Sequence, residues 1–357
     1  MKKISFCGLA FALFAASLSF LVACNNVEKK PEQSKLSIVT TIYPEYAWTK
    51  EILGSHADSV NLTLLMKNGV DLHSYKPTAQ DIAKIASADM VVYVGGESDE
   101  WIKDALEASP KKGRSEINLM EALGDRVKAE EVVEGMQGET KEDAEENHEH
   151  GEEADEHDHE HHEHAEEHHH HHDHEEEVEN DEHVWLSLKN AEIIVNKIAE
   201  ELSKLDAAHA TVYKQNADAY IAQIQSLDKE YREAVNGAAR KTVLFGDRFP
   251  FRYLVDDYGI KYYAAFVGCS AESEASFETI AFLAGKMDAE SLPVIFTIEN
   301  SNDKIAKAVL AASKNSKSAQ ILSINSMQSI TEAQIAGGID YLSLMKSNLD
   351  VLKKALN

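Results

Sequence analysis

Short apolar runs alternate with amphipathic segments in two separate blocks of this 357-residue chain. In the first block, apolar runs such as "MVVYV" at 90–94 are each followed by a segment with helical spacing. The same order returns after residue 240, where "PVIFTI" at 293–298 is an example. Strands that alternate with helices are typical of parallel sheets. The chain is therefore predicted to be an α/β protein of two lobes, each with a parallel sheet flanked by helices.

The residues between the two blocks have a different pattern. From 188 to about 235, Ala, Ile, Leu and Tyr recur at helical spacing without a proline. A break near 205–207 divides this stretch, and its second part predicts a helix roughly 40 Å long at about 1.5 Å per residue. The predicted parts are an amino-terminal lobe over 36–206, a rigid linking helix over 207–239 and a carboxy-terminal lobe over 240–357.

The amino-terminal residues 1–23 predict a secretory signal peptide. Two lysines precede an apolar stretch that is short for a membrane span and ends at small residues. The sequence "LVAC" matches the bacterial lipoprotein box, in which Cys24 becomes the lipid-carrying first residue, and an ordinary cleaved signal is the alternative. Residues 24–35 then form a polar tether. The mature protein is expected to be extracytoplasmic and held at the bacterial membrane by its lipid anchor.

Residues 130–180 are strongly acidic and rich in histidine. The stretch from 130 to 183 holds 25 acidic residues and one lysine, so most of the net charge of −27 is local. This composition buries too little apolar surface to offset chain entropy, which predicts a disordered loop late in the first lobe. Its imidazoles and carboxylates are suited to weak metal binding. The histidines predicted to form this auxiliary metal loop are His157, His159, His161, His162, His164, His168, His170, His172 and His174.

Two histidines outside the loop lie where a ligand of an α/β protein binds. In "NGVDLHSYKPTAQD", His73 follows a predicted strand and precedes a helix, and in "DEHVWLSLKNA", His183 begins the ordered chain after the loop. Ligands of open α/β sheets bind at the carboxyl ends of strands, so two facing lobes predict a cleft. Spacing alone fits ordinary loop histidines equally well. His56 and His209 are interpreted as surface residues.

The order of these motifs resembles a known family. A lipobox, "DLHSYKPTAQD", a His/acid insertion, "DEHVWLSLKNA" and a long connecting helix together are similar to the ZnuA-type proteins. These are the metal-binding substrate proteins of bacterial ABC importers for zinc and manganese, with motifs D-P-H-x-Y-x-P-T and N-P-H-x-W-L-D-P. The resemblance spans nearly all of 36–357. It implies two pseudo-symmetric lobes, as in the cluster A metal-binding proteins, with one divalent ion between them and His73 and His183 as first-lobe ligands.

The chain departs from this family where the second lobe is expected to supply ligands. "RFPFRYLVDDYG" matches the family's third-ligand segment but has Arg248 at the ligand position, and a guanidinium has no lone pair for a metal. A fourth ligand would fall near Asn325 or Ser326. Arg248 is expected to form an ion pair, with Asp247 or Glu272 as the partner. Contact with an anionic group that arrives with the ion is the alternative.

Cys269 is the preferred candidate for the third ligand. It follows a predicted strand in "VGCSAESEAS" and is the only free thiol once the signal is removed and Cys24 is lipidated. Two His, one Cys and a water match the ligand preferences of an open zinc site, and a thiolate disfavours manganese. Carboxylates of Asp247, Glu272 or Glu274 are the alternatives, and a free Cys is also a common core residue.

The sequence therefore predicts a monomeric lipoprotein that captures zinc in a cleft and delivers it to an ABC permease. No basic patch is present, so nucleic acid is not expected as a partner. An enzyme is disfavoured because the sequence shows no nucleophile–base pair and no His-Glu-x-x-His on a predicted core helix. The other rival is a metal-storage or adhesin-type surface lipoprotein in which the His-rich loop is the main binding element. Deletion of 139–179 distinguishes them, because only the importer component keeps a tight site.

Overall fold

The computed structural model describes four ranges of the chain, and the fold is given for these. They are 35–137, 179–270, 274–314 and 318–357. The predicted signal peptide, Cys24, the histidines of the auxiliary loop and Glu272 lie outside the described residues. Among the helices in the described ranges, none combines the length and the apolar content that crossing a membrane requires.

The first lobe is built on a four-stranded parallel sheet. Its strands are β1 (Ser37–Thr40), β2 (Asn61–Leu64), β3 (Met90–Tyr93) and β4 (Ser115–Asn118). They lie in the order β2-β1-β3-β4. All four residues of β3 are buried, as expected for a strand that has helices on both faces of its sheet.

Four helices accompany this sheet. They are α1 (Tyr43–Leu53), α2 (Ala79–Ser87), α3 (Trp101–Ala108) and α4 (Leu119–Leu123). Thr78 caps α2: its hydroxyl accepts from the Asp81 backbone N–H, and the Asp81 carboxylate accepts from the Thr78 N–H. This reciprocal cap fixes the end of the loop that carries His73.

Two long helices follow the first lobe. α5 (Leu188–Leu205) and α6 (Ala210–Asn236) are separated at Asp206, where the sequence predicts a break. The 27 residues of α6 span roughly 40 Å. Its buried Tyr231 donates a hydrogen bond of 2.6 Å to the carbonyl oxygen of Met345, which fastens α6 to the last helix of the chain.

The second lobe repeats the sheet of the first. Strands β5 (Thr242–Phe249), β6 (Lys261–Val267), β7 (Val294–Ile298) and β8 (Gln320–Ile324) are parallel in the order β6-β5-β7-β8. Each sheet thus has its first strand between the second and third of its own lobe. This confirms the predicted α/β class with two pseudo-symmetric lobes. The helices are α7 (Arg252–Tyr258), α8 (Phe277–Ala289), α9 (Lys304–Ala312), α10 (Glu332–Ala336) and α11 (Tyr341–Leu356).

Buried aromatic side chains join the two lobes. Trp185 of the first lobe donates from its indole Nε1 to the carbonyl oxygen of Ser326 at 2.8 Å. The Tyr341 hydroxyl of α11 donates to the carbonyl oxygen of Trp185 at 2.8 Å and its ring packs edge-on against Trp48. All three aromatic side chains are fully buried, so the lobes share one continuous apolar core.

The last helical stretch of the chain is divided into α10 and α11, because Gly338 adopts a φ of +84° after α10 and Asp340 caps a new helix. One predicted boundary is corrected: the loop predicted over 130–180 was wrong for residues 130–137 and 179–180, which are ordered, whereas 138–178 lie outside the described residues. Gln137 donates from its backbone to the carbonyl oxygen of Ala265 at 2.9 Å, at the free edge of β6. Composition does not reveal such edge pairing.

Candidate metal centre

His73 is held by a short 3₁₀ helix in the loop after β2. The Asp71 carboxylate caps this turn by accepting from the His73 backbone N–H at 3.0 Å. The His73 ring nitrogen Nδ1 lies 2.7 Å from the Ser98 hydroxyl, and Ser98 follows β3. The ring is thereby fixed at the point where the strand order of the first sheet reverses between β1 and β3, the usual ligand position of such sheets. Its Nε2 remains for a ligand.

His183 is held in the same manner by an aspartate two residues before it. Asp181 accepts from the His183 backbone N–H at 2.8 Å, and the same oxygen lies 3.0 Å from the ring nitrogen Nδ1. Tyr253 of the second lobe supports this turn, since its hydroxyl donates to the Asp181 carbonyl oxygen at 2.7 Å. The His183 side chain is completely buried. A carboxylate on Nδ1 directs Nε2 toward a metal and raises its basicity.

The three predicted ligand residues meet in space. Nε2 of His73 and Nε2 of His183 are 3.1 Å apart, and Sγ of Cys269 completes a set whose atoms all lie within 4.8 Å of one another. Two nitrogens on a tetrahedral zinc are separated by roughly 3.3 Å, given zinc–nitrogen distances of about 2.0–2.1 Å. The 3.1 Å between the two imidazole nitrogens is a hydrogen-bond distance and is also close to this separation, so the group could hold a metal ion, with the thiol on the second-lobe side.

Cys269 reaches the cluster because Gly268 allows a close approach. Cys269 lies two residues after β6, and its backbone N–H donates to a Glu130 carboxylate oxygen at 3.3 Å. A methyl group added at Gly268 would stand 2.9 Å from His183 Cε1 and 3.0 Å from the carbonyl oxygen of Phe249. Any side chain there would press on the imidazole, so the two lobes meet at this glycine.

Burial and charge set the protonation of the three side chains. Burial, followed by the charge of His183, lowers the pKa of His73 to about 3, so its ring is neutral at neutral pH. Burial also opposes charge on His183, but the Asp181 carboxylate outweighs it and raises the pKa of His183. Burial, followed by the nearby carboxylate of Glu130, raises the pKa of the Cys269 thiol. A metal that binds here must displace the thiol proton.

The other predicted ligand candidates lie outside this cluster. Asp247 accepts from the backbone N–H groups of Arg248 and Ile298 at 2.9 and 3.4 Å. Glu274 is exposed. Ser326 is occupied by Glu299, which accepts from both the backbone N–H and the hydroxyl of Ser326 at 2.7 Å. Asn325 is engaged in the turn after β8, where its backbone N–H donates to Asn348. Within the described ranges, only His73, His183 and Cys269 form a group of potential ligands.

Arg248 forms its ion pair across the cleft. Its Nη2 donates to the Asp71 carboxylate at 2.7 Å. Asp71 was not among the expected partners; the predicted contact with Asp247 is not the one formed, and Glu272 lies outside the described residues. Asp71 is itself buried, which raises its pKa, but the adjacent Arg248 reverses this and leaves the pKa of Asp71 below its ordinary value. Arg248, which stands at the family's ligand position, thus links the second lobe to Asp71 of the first lobe. Asp71 in turn positions His73.

The supporting residues were missed in the sequence, although a signal for two of them was present. The strings "DLH" and "DEH" share the pattern Asp-x-His, and in both the aspartate accepts from the histidine backbone. Ser98 and Glu182 have no comparable signature. Glu182 accepts from the Ser98 backbone N–H at 2.8 Å and has its other carboxylate oxygen 3.6 Å from His73 Nδ1.

His56 and His209, interpreted as surface residues, contact each other. Their ring centroids are 4.0 Å apart, and Nδ1 of His209 lies 2.7 Å from an Asp206 oxygen that also accepts from the Tyr213 hydroxyl. Both rings are partly exposed at the turn between α5 and α6. This pair is separate from the cluster of His73, His183 and Cys269.

Two lobes with parallel sheets of the same strand order, joined by a long helix and sharing a cluster of ligand-type side chains, define a two-lobed solute-binding protein. The family described as "Zinc-uptake complex component A periplasmic", ZnuA, matches residues 38–355. The chain belongs to this ZnuA family, whose members are uptake components and not enzymes. The resemblance found in the sequence is thereby confirmed.

Two curated relatives illustrate the relationship. The zinc-binding lipoprotein AdcA of Streptococcus pneumoniae (strain R6) is 34% identical over 358 residues, covering 99% of this chain and 61% of AdcA. The chain thus spans about three-fifths of the length of that relative. The high-affinity zinc uptake system protein ZnuA of Bacillus subtilis (strain 168) is 31% identical over 348 residues, covering 96% of each chain.

Solved structures show the same fold. The Zn(II)-bound ZnuA-like domain of Streptococcus pneumoniae AdcA superposes with a TM-score of 0.63 and 29% identity, covering 90% of this chain and 99% of that chain. The metal-dependent lipoprotein YcdH of Bacillus subtilis superposes with a TM-score of 0.65 and 27% identity, with the same coverage of 90% and 99%.

Proposed function

We propose that this protein is the zinc-capturing component of an ABC importer and that it binds one Zn²⁺ between its lobes. The ligands are Nε2 of His73, Nε2 of His183 and the thiolate of Cys269. The observation that carries the proposal is the convergence of these atoms within 4.8 Å from segments far apart in the sequence and from both lobes. The names of the relatives, a zinc-binding lipoprotein and a zinc uptake protein, agree with it.

The chemistry of the three ligands favours zinc over manganese. Zinc takes nitrogen and sulfur ligands in a tetrahedron and leaves the fourth position of an open site to water or an exogenous group. Manganese prefers oxygen ligands. Arg248 stands where the family has a metal ligand. In this proposal the thiolate of Cys269, from the same lobe, replaces that missing ligand.

Binding of the zinc ion is linked to contact between the two lobes. Both histidines belong to the first lobe, whereas Cys269 and Arg248 belong to the second. A bound ion adds a further link to the contacts between the lobes, which already include the ion pair of Asp71 with Arg248 and the hydrogen bond from Trp185 to Ser326. Release to the permease then requires Cys269 to be withdrawn from the histidines, and protonation of the thiol favours that step.

The remaining parts of the proposal concern the protein's setting. The protein acts outside the cytoplasm as a monomer, anchored through lipidated Cys24, and delivers its ion to the permease of an ABC importer. The His-rich loop serves as an auxiliary collector that holds several ions weakly and raises their local concentration. The alternative is a storage or adhesin-type lipoprotein, and the experiment below distinguishes it from the proposed importer component.

The test is zinc titration of a variant in which residues 138–178 are replaced by a short Gly-Ser linker. These limits retain the backbone hydrogen bonds of Gln137 and of Glu179, which accepts from the Glu130 N–H at 2.8 Å. The variant is expected to bind one zinc tightly. In this background, His73→Ala and His183→Ala should each weaken binding by well over tenfold, at least about 1.4 kcal/mol.

His209→Ala is the matched control, because this histidine is also partly buried near an aspartate but lies outside the cluster. It should leave the affinity unchanged. Loss of all measurable binding on removal of 138–178 would favour the storage alternative. Normal zinc binding by both His73→Ala and His183→Ala would exclude these two histidines as ligands.

A further inference from the structure

Glu182 is a buried glutamate that uses only one of its two carboxylate oxygens. It lies directly before His183 and is 3% exposed. Its Oε1 accepts from the Ser98 backbone N–H at 2.8 Å. Its Oε2 is buried and, in the part of the chain that the structure describes, has no hydrogen-bond partner. A buried carboxylate oxygen without a donor is costly, so we expect a donor to reach it in the working protein.

The unpaired oxygen faces the ring of His73. Glu182 Oε2 lies 3.6 Å from His73 Nδ1, which is longer than a hydrogen bond. The same nitrogen is 2.7 Å from the Ser98 hydroxyl. Gly96 leaves room for the carboxylate, because a methyl group added there would stand 2.2 Å from Glu182 Oε1. The carboxylate is thus held beside the ring nitrogen that points away from the cluster.

A zinc ion on Nε2 of His73 decides which ring nitrogen carries the proton. The Nε2 atoms of His73 and His183 are 3.1 Å apart in the structure, so one of them donates to the other. Zinc displaces this hydrogen bond, and a neutral His73 ring then carries its proton on Nδ1. This Nδ1–H requires an acceptor. A carboxylate is a stronger acceptor than a hydroxyl, and Glu182 Oε2 is unpaired.

We propose that Glu182 is a positioning residue for zinc, whose free oxygen accepts from the Nδ1–H of His73 in the loaded protein. This inference rests on the proposed function and names a residue that supports its site. A side-chain movement of about 1 Å shortens the distance of 3.6 Å to that of a charge-assisted hydrogen bond. His73 then has the carboxylate partner that Asp181 provides for His183, and such a partner orients the ring and raises its basicity.

The main chain of Glu182 acts on the third proposed ligand. Burial is the largest cause of the raised pKa of the Cys269 thiol, and a hydrogen bond from the Glu182 backbone acts in the opposite direction. The family motif N-P-H-x-W-L-D-P has proline at this position, and proline has no backbone N–H. Glutamate in its place therefore supplies both a donor toward the thiol and an acceptor toward His73.

The experiment combines zinc competition with NMR on the full mature chain labelled with 15N-histidine. One equivalent of zinc is supplied, and its affinity is measured against a chromophoric chelator. Glu182→Gln keeps the size of the side chain but offers one acceptor oxygen in place of two. Ser98→Ala removes the hydroxyl and leaves the carboxylate. Glu45→Gln is the matched control, since this glutamate of the first lobe is fully buried and accepts from Thr41 and Ile42.

Glu182→Gln should bind zinc about 10–100-fold more weakly, whereas Glu45→Gln should bind it like the wild type. In the zinc-loaded wild type, the proton on His73 Nδ1 should give a downfield resonance that exchanges slowly with water. This resonance should move upfield in Glu182→Gln, because an amide is a weaker acceptor than a carboxylate. The corresponding resonance of His183, identified through Asp181→Asn, should stay in place.

Ser98→Ala should keep both the zinc affinity and the downfield resonance of His73. An unchanged affinity and resonance in Glu182→Gln would overturn the inference and leave zinc capture intact. If Glu182→Gln does not fold, Ser98→Ala decides alone, since loss of the His73 resonance there would make the hydroxyl the acceptor. Wild-type protein in which zinc changes the resonances of neither His73 nor His183 would overturn the proposed function and the inference with it.

Discussion

Zinc binding should release protons, and most of them should come from Cys269. The thiol is protonated at neutral pH because burial, followed by the carboxylate of Glu130, raises its pKa. A zinc ligand must be a thiolate, so binding displaces one proton from this residue. His73, with a pKa of about 3, is already neutral and releases none. His183 has a raised pKa and contributes a fraction of a second proton.

The expected release at neutral pH is therefore between about one and two protons per zinc. Each proton displaced changes the binding free energy by about 1.36 kcal/mol per pH unit, so affinity should rise ten- to a hundredfold per unit as pH increases. The slope of the logarithm of the zinc affinity against pH should fall toward one once the pH exceeds the pKa of His183. In Cys269→Ser, the proton of the thiol is no longer available, so the slope should fall by about one unit.

Calorimetric titration in two buffers of different ionisation enthalpy measures this release directly. It is made with the protein lacking residues 138–178, because the loop histidines release protons of their own. The wild-type cleft and Cys269→Ser are compared between about pH 6 and pH 8. Equal proton release and equal affinity in the two proteins would refute the thiolate assignment, whatever the number of protons.

Three further perturbations follow from the structure. Asp181→Asn, which takes the charge from the partner of His183 Nδ1, should lower zinc affinity about 10–100-fold in the same titration, and an unchanged affinity would argue against this supporting role. Gly268→Ala places a methyl group 2.9 Å from His183 and should weaken zinc binding by roughly 1–3 kcal/mol, whereas a normal affinity would mean that the imidazole yields easily. Cys24→Ala should leave the secreted protein without an acyl chain by mass spectrometry and free of the membrane, and wild-type protein already free of lipid would contradict the anchor.

The fold was accessible from the sequence because its strongest signals are local. Continuous apolar runs identify the buried parallel strands, and the capping pair of Thr78 and Asp81 marks the start of a helix without reference to the rest of the chain. β4 was missed because Ser115–Asn118 has only one apolar side chain, and its pairing with β3 decides its conformation. The order of 130–137 likewise depends on a strand edge far away in the sequence.

The candidate site was accessible only in part. His73 and His183 follow from their motifs, and Cys269 from its place after a strand together with the ligand chemistry of zinc. The pairing of Arg248 with Asp71 joins residues 177 positions apart across the cleft, and nothing in either local sequence specifies it. Only the register of the two lobes, set by Trp185 and Tyr341 in the shared core, brings these side chains together.

The coordination shell of the bound ion tests the central claim most directly. X-ray absorption at the zinc edge is measured on the protein lacking residues 138–178, loaded with one equivalent of zinc. The proposed site predicts one sulfur at about 2.3 Å and two imidazole nitrogens at about 2.0–2.1 Å, with a further light atom in the fourth position. Cys269→Ser should lose the sulfur shell and keep both imidazoles. A wild-type shell made only of nitrogen and oxygen would contradict the account.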